Sequence, residues 1–390
     1  MSESILVINA GSSSVKFAVF PLTPDPLGAK LKGQISGIGT SSQIDVCDSD
    51  GAEVDFPSPT NGIANHTDAF EALIDWLTKR GERLVGAGHR VVHGGEGFTH
   101  PVPIDGVVLK ALDELSPLAP HHQPHNLAAI EALTARLPDL PQVACFDTAF
   151  HAGMPAEARE LGLPRSYAEK GLRRYGFHGL SYESIVASLP KIIGRSLPPR
   201  LVIVHLGNGS SMCAIREGTS IATTMGFSTL DGIPMGTRSG AVDPGVLLHL
   251  MREEGAGLTD LEDLLYNRSG LLGISGISPD MRQLLQSDCP QAAEAVAFFC
   301  YRVSRELGSL AAALGGLDAL VFTGGIGENA CQVRAQVLHL SAWLGLNLNR
   351  QANDAGKACI TSADSRASAW VVATDEESII AGHTRRILGA

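Results

Sequence analysis

The chain has 390 residues, 44% of them hydrophobic and 18% charged, with a formal net charge of −11. Such a length and apolar content support a large core and two domains or three. The acidic balance argues against a general nucleic-acid or anionic-membrane binder, while leaving room for small anions beside a local cluster of arginines.

In chain order, the first element is an apolar strand that runs into "NAGSSSVKFAVF", a turn of small polar residues followed by Lys16 and a second apolar stretch. Lys16 alternates with Val15 and Phe17, so it is either a solvated outer-face residue or a phosphate contact. The Gly-, Ser-, Pro- and Asp-rich residues 21–59 predict short hairpin strands with long turns. In "TDAFEALIDWLTKRG", Phe70, Leu73, Ile74 and Leu77 share one helical face, with Thr67 as the expected N-cap and Gly81 as the stop. "RLVGAGHRVVH", "PQVACFD", "RLVIVHLG" and "DALVFTG" predict buried strands alternating with helices, an α/β chain. "HHQPH" is a poor metal motif, because Pro124 breaks helical spacing, and its histidines are expected to shape a turn. A long helix is expected from about Pro290 to Leu314, with Gly315 at its end.

Polar residues cluster at the strand ends. "NAGSSSVK", "HLGNGSS" and "FTGGIGEN" are turns whose small residues let backbone N–H groups approach an anion. Each alone reads more readily as an ordinary tight turn; three at strand ends point to phosphate. No GxxxxGK[ST] is present, and "GIGENA" lacks an acidic ribose partner about 20 residues on, which weighs against a P-loop and an oxidoreductase. Arg90 in "GHRVVHGGE" and Arg238 in "MGTRSG" stand among small or apolar residues and must pair internally or meet an anion. Asp147 after "VACF" is a helix cap or a functional carboxylate. Aligning Gly11 with Gly209 makes "LVINAGSSSVKFAV" and "IVHLGNGSSMCAI" an internal repeat, the mark of a duplicated domain. Seven cysteines, odd in number and without a CxxC pair, predict reduced thiols and a cytosolic setting, as does the lack of a secretory leader or a bilayer-length apolar run.

The ordered set "NAGSSSVK", "GHRVVHGGE", "FDTAFH", "YGFHG", "HLGNGSS", "GTRSG", "SGISPDMR", "FTGGIGEN" and "TDEE" resembles the acetate kinase family, within the acetate and sugar kinase, heat-shock and actin superfamily. The resemblance covers essentially the whole chain. It implies an α/β fold of two duplicated actin-like (ribonuclease H-like) domains with a cleft between them. Residues 1–149 with 376–390 would form one domain; residues 150–375 would form the other, which binds nucleotide and forms a homodimer. It also implies reversible transfer of a phosphoryl group between ATP and acetate, giving acetyl phosphate and ADP by direct in-line displacement, with Mg2+ or Mn2+ and with neither nucleic acid nor membrane as partner.

By motif, Asn9 and Glu376 would serve the metal. Nucleotide contacts would come from Ser12, Ser14, Lys16, His205, Leu206, Gly207, Asn208, Gly209, Asp280, Met281, Arg282, Gly324, Gly325, Ile326, Gly327 and Glu328. Arg90 would hold the acceptor carboxylate, with Val92, His121 and Thr229 lining its pocket, while His178 and Arg238 would stabilise the phosphoryl group in flight. Asp147 is usually described in the family as the acid/base residue. A carboxylate acceptor is already ionised near neutral pH, with a pKa of about 4–5, so no proton must be removed, and Asp147 is read here as orienting Arg90 or a metal-bound water.

Several positions depart from the family. "LAPLHNP" reads "LAPHHQP", placing His121 where a leucine is expected; "MGFTPLEG" reads "MGFSTLDG", placing Thr229 for a proline. "GFHGTSH" reads "GFHGLSY", replacing a second histidine by Tyr182, and Ala241 lacks a common carboxylate. Asp243 and Pro244 remain to start a helix. The alternatives are a kinase of propionate or, less readily, butyrate, and, in a different class, an actin-like ATPase without an acyl acceptor.

Overall fold

The computed structural model describes residues 2–11, 14–22, 28–57 and 62–389. The chain divides into two compact units, Met1–Phe150 with Asp375–Ala390, and His151–Thr374. Each is built on its own sheet.

The first sheet holds β1 (Ser2–Ala10), β2 (Ser14–Pro21), β3 (Leu31–Ser36), β4 (Gln43–Asp48), β5 (Glu82–Val91), β6 (Val102–Pro103) and β7 (Gln142–Phe146), in the order β4-β3-β2-β1-β5-β7-β6. The second holds β8 (Arg200–Leu206), β9 (Ser210–Arg216), β10 (Thr219–Thr223), β11 (Ala319–Thr323) and β12 (Ser368–Val371), in the order β10-β9-β8-β11-β12. In both sheets the first strand pairs antiparallel with the second and parallel with the strand after the third or fourth. The run β3-β2-β1-β5-β7 therefore repeats as β10-β9-β8-β11-β12, with matching strand directions. This is the duplicated fold that the resemblance implied.

Counted from the last strand pair of each hairpin, Ala10↔Val15 and Leu206↔Ser210, Gly11 matches Gly207 rather than Gly209. The sequence alignment slipped by two residues because the second turn has a glycine on each side of Asn208.

Period-2 alternation decides what each face carries. Leu6, Ile8, Phe17, Val19 and Ala87 join Phe70, Leu73, Ile74 and Leu77 of the helix His66–Lys79 in one apolar layer. The opposite face of β1, β2 and β5 therefore presents Asn9, Lys16 and Arg90, and Asp147 continues the same parity beyond β7. On that face lies the helix Glu376–Leu388. In the second unit, Val202, Val204, Met212, Ala214, Leu320 and Phe322 pack on the 25-residue helix Pro290–Leu314, which ends at Gly315 as expected. His205 and Ser211 thereby fall on the other face, toward the helix Gly179–Ile193.

Two local expectations are corrected. The N-cap of His66–Lys79 is Asn65, whose side chain accepts from Asp68 N at 2.9 Å, and not Thr67. Asparagine at 65 offers the same capping oxygen two residues earlier. "HHQPH" is half turn and half helix: Pro124 sits in the first turn of the helix Gln123–Arg136, where its missing N–H costs nothing. All seven cysteines are free. Among the described residues, no group of His, Cys, Asp and Glu forms a ready-made metal cluster, and no helix is long and apolar enough to cross a membrane.

The helix Glu376–Leu388 reaches β5 only because Gly86 and Gly88 have no side chain. A Cβ on Gly88 would come within 2.5 Å of Ile380 Cγ2. Gly88→Val should lower stability by about 1–3 kcal/mol through overpacking, read as a lower urea midpoint. An unchanged midpoint would show that the helix does not press on this strand.

Candidate active site

In the first unit the polar residues of the sheet face converge on one guanidinium. Arg90 Nε and Nη2 donate to Asp147 Oδ1 and Oδ2 at 3.0 and 2.5 Å, and Nη1 donates to Asn9 Oδ1 at 3.1 Å. Glu376 Oε2, on the first residue of the returning helix, lies 3.9 Å from Arg90 Nε. Asp147 is 1% exposed and the Arg90 side chain 19%, so the pair is largely withdrawn from water. Burial works against the charge on Arg90, but Asp147 and Glu376 outweigh it and hold the guanidinium protonated above its ordinary range. Burial raises the Glu376 carboxyl; Arg90 opposes that shift, Asp147 and Glu377 reinforce it, and the net change is upward.

Of the five N–H bonds of a guanidinium, these contacts take three, one from each nitrogen. Among the described residues these bonds leave each Nη a further N–H, a donor of the kind that receives a carboxylate or phosphate.

The backbone around Arg90 is held by buried carboxamides that sequence reasoning did not single out. Asn126 Oδ1 accepts from Val92 N at 3.0 Å, while its Nδ2 donates to Ala10 O at 2.8 Å. Gln123 brackets His93, accepting from its N at 3.2 Å and donating to its O at 3.0 Å. Both amides project from the first turn of the helix Gln123–Arg136, so their signal was two polar residues within a buried stripe. Val92 is buried, and His121 is exposed in the turn before that helix. Lys16 is exposed directly opposite Asn9 and lines a cavity of about 480 Å³ with Lys32 and Glu377. Ser14 O accepts from Gly11 N at 2.8 Å, closing the turn; Ser12 lies outside the described residues.

In the second unit, His178 adopts a left-handed backbone, φ 58° and ψ 25°, at the start of the helix Gly179–Ile193. Such a conformation is costly for a non-glycine residue, and its retention points to a functional demand. The His178 ring stacks on His205, with centroids 4.3 Å apart, and His178 Nδ1 lies 2.8 Å from Ser211 Oγ. His205 Nδ1 lies 2.8 Å from Ser181 Oγ. A Cβ on Gly209 would sit 3.4 Å from His178 Nε2 and 3.8 Å from Arg238 Nη1, so both donors border the bare turn. Arg238 Nη1 also reaches Thr229 O at 3.5 Å, so Thr229 shares a loop with Arg238, whereas Val92 and His121 belong to the first unit.

The expected nucleotide segments of this unit border one cavity of about 870 Å³, lined by Gly207 and Asn208, by Asp280, Met281 and Arg282, and by Gly325 and Ile326. Leu206 is fully buried, so only its backbone can serve a ligand. Gly324, at φ 77°, lets the "GGIGEN" segment press on Leu206 O, and Glu328 Oε1 accepts from Gly324 N at 2.9 Å to close the loop around buried Gly327. Arg334, 2% exposed, donates to Gly327 O and Glu328 O at 2.9 and 2.8 Å and to Asn353 Oδ1 at 2.8 Å. It thus satisfies carbonyls at the end of the short helix Gly324–Asn329 that would otherwise be orphaned. No local pattern marks Arg334, because its partners depend on the tertiary fold.

The oxygens of Asn9 and Glu376, both beside Arg90, form a hard donor set too small to enclose a cation alone. That suits Mg2+, which keeps waters and is completed by substrate phosphates.

The family model described as "Acetokinase family" matches residues 4–382. The chain is 51% identical over 397 residues to an acetate kinase of Rhodopseudomonas palustris, covering 99% of both chains. Among solved structures, a propionate kinase from Francisella tularensis matches with a TM-score of 0.92 at 36% identity, covering 99% of this chain and 100% of that one. The acetate kinase of Porphyromonas gingivalis matches with a TM-score of 0.88 at 35% identity and the same coverage.

Proposed function

The chain belongs to the acetokinase family and is an ATP-dependent kinase with a carboxylate acceptor; from this premise we propose how its residues act on ATP and acetate. The observation that carries the reading is Arg90, a largely buried guanidinium fixed by Asp147 and Asn9 through three of its five N–H bonds. The remaining N–H donors hold an acetate carboxylate, and a free lone pair on one of its oxygens attacks.

In the transfer, an acetate oxygen bonds to the γ-phosphorus as the bond from phosphorus to the β,γ-bridging oxygen breaks, leaving ADP. No proton changes place, because the acceptor enters ionised. Asp147 therefore acts as an orienting group: both of its oxygens are engaged by Arg90, and it fixes the clamp's charge and plane. Charge spreads over the equatorial oxygens in the transition state, and fixed donors placed there stabilise it more than the ground state. His178 Nε2 and Arg238 Nη1 are the donors assigned to that task. The cavity of about 870 Å³ between the segments 207–208, 280–282 and 325–326 is of a size for the nucleotide. Asn9 and Glu376 would hold Mg2+, or Mn2+ in its place, which when bound neutralises charge on the phosphate oxygens; Lys16 adds a cation on the same sheet face.

Propionate is the second reading. His121 and Thr229, which depart from the family's pocket residues, leave the exact acid open, and the likeness to a propionate kinase supports this alternative. A cytosolic setting belongs to the same proposal and is supported by seven free cysteines.

A homodimer is also proposed. The helices Pro244–Glu253 and Leu258–Asn267 bury no residue within the chain, while Leu248, Met251 and Leu258 are 58%, 52% and 73% exposed. Apolar side chains concentrated on such helices mark an association surface.

With Mg-ATP and hydroxylamine, the chain should form hydroxamate from acetate, and less from propionate and butyrate. Arg90→Ala should lower kcat/KM for acetate by about 10²–10³-fold while changing KM for ATP little. No acyl phosphate from any acid would refute the reading. For the dimer, joint Leu248→Asp and Met251→Asp should halve the mass seen by light scattering; a wild-type monomer would contradict the proposal.

A further inference from the structure

A hydrogen-bond chain in the second unit ends on His178. Tyr182, fully buried, lies one turn beyond His178 in the helix Gly179–Ile193, and its backbone N donates to His178 O at 3.1 Å. The phenol hydroxyl meets Ser211 Oγ, which in turn lies 2.8 Å from His178 Nδ1. Ser211 is the cross-strand partner of His205, on which the His178 ring stacks. The stack fixes the plane of the ring, and the Ser211 contact fixes its rotation.

The direction of this chain follows from acidity. A phenol, with a pKa of about 10, is a better proton donor than an aliphatic hydroxyl. The Tyr182 O–H therefore donates to Ser211 Oγ, leaving the Ser211 proton to point at His178 Nδ1. An accepting Nδ1 carries no proton, so the neutral ring bears its proton on Nε2. Nε2 is the nitrogen that borders the bare Gly209 turn beside Arg238 Nη1.

We propose that Tyr182 is a positioning residue which, through Ser211, holds His178 in the Nε2–H tautomer and aims that N–H at the transferring phosphoryl group. The proposal rests on the role given to His178 above. Tyr182 thus sets the tautomer from a place where the resembled family carries a histidine.

The test uses the full-length chain and ring-nitrogen NMR of His178 without substrates, assigned by loss of its signals in His178→Gln, alongside the hydroxamate assay. Tyr182→Phe keeps the edge-on ring contact with His151, at 5.6 Å between centroids, and deletes only the hydroxyl. The wild-type ring should show Nε2–H, and Tyr182→Phe a mixture with Nδ1–H. Its kcat should fall about fivefold to tenfold, the worth of one neutral hydrogen bond, with KM for acetate and ATP unchanged. Ser211→Ala should give the same pair of changes, and decides the matter if Tyr182→Phe does not fold. An unchanged tautomer or an unchanged kcat in the variant would overturn the proposal. A wild-type chain that forms no hydroxamate overturns the functional reading instead, and the ring spectrum still decides the tautomer.

Discussion

Burying a guanidinium beside a carboxylate strips both ions of water, and their mutual attraction repays this only when the geometry is near ideal. Arg90 and Asp147 meet that condition with two parallel hydrogen bonds, at 3.0 and 2.5 Å, across the ends of β5 and β7. Such a pair adds little net stability compared with a well-packed apolar one, so its value lies elsewhere. It holds a fixed positive edge at the carboxyl ends of the strands, where open α/β sheets bind their ligands. Asn9 and Glu376 draw their positions from the same centre, and the carboxamides of Asn126 and Gln123 hold the backbone that follows Arg90.

The duplication shows how one hairpin serves two chemistries. In the first unit its face offers Asn9 and Lys16, an oxygen donor and a cation directly opposed across two strands. In the second unit the corresponding face offers His205 and Ser211, which together orient the His178 ring. Strand order and direction are shared; only the residues of the strand ends differ. Apolar positions of the opposite face, packed on long helices, keep both frames rigid.

Much of this was legible in the chain, because it follows from local rules. The buried strands, the helix Pro290–Leu314 and the polar residues at strand ends all come from periodicity and punctuation. Arg90 stood out as a cation among small and apolar residues, and Asp147 as an acid at a strand end. That the two are partners was one of two readings drawn from the family resemblance and the chemistry of the acceptor, and not from spacing: 57 residues separate them, and only the parallel pairing of β5 with β7 joins them. Arg334 is hidden for the same reason, its carbonyl partners being made by the helix 324–329 and its amide partner by Asn353. Errors arose where two residues offer the same chemistry at close range. Asn65 and Thr67 can both cap a helix, and Gly207 and Gly209 can both begin the repeat.

The central claim is that Asp147 acts by holding Arg90 as a carboxylate clamp and takes no proton from the acceptor. The most direct measurement is the pH dependence of kcat/KM for acetate in Asp147→Asn against wild type, with KM for acetate followed separately. The account predicts a raised KM for acetate and a pH profile of unchanged shape, since no ionisation that matters has been removed. An unchanged KM together with the loss of one limb of the profile would contradict it and return Asp147 to the role of a base.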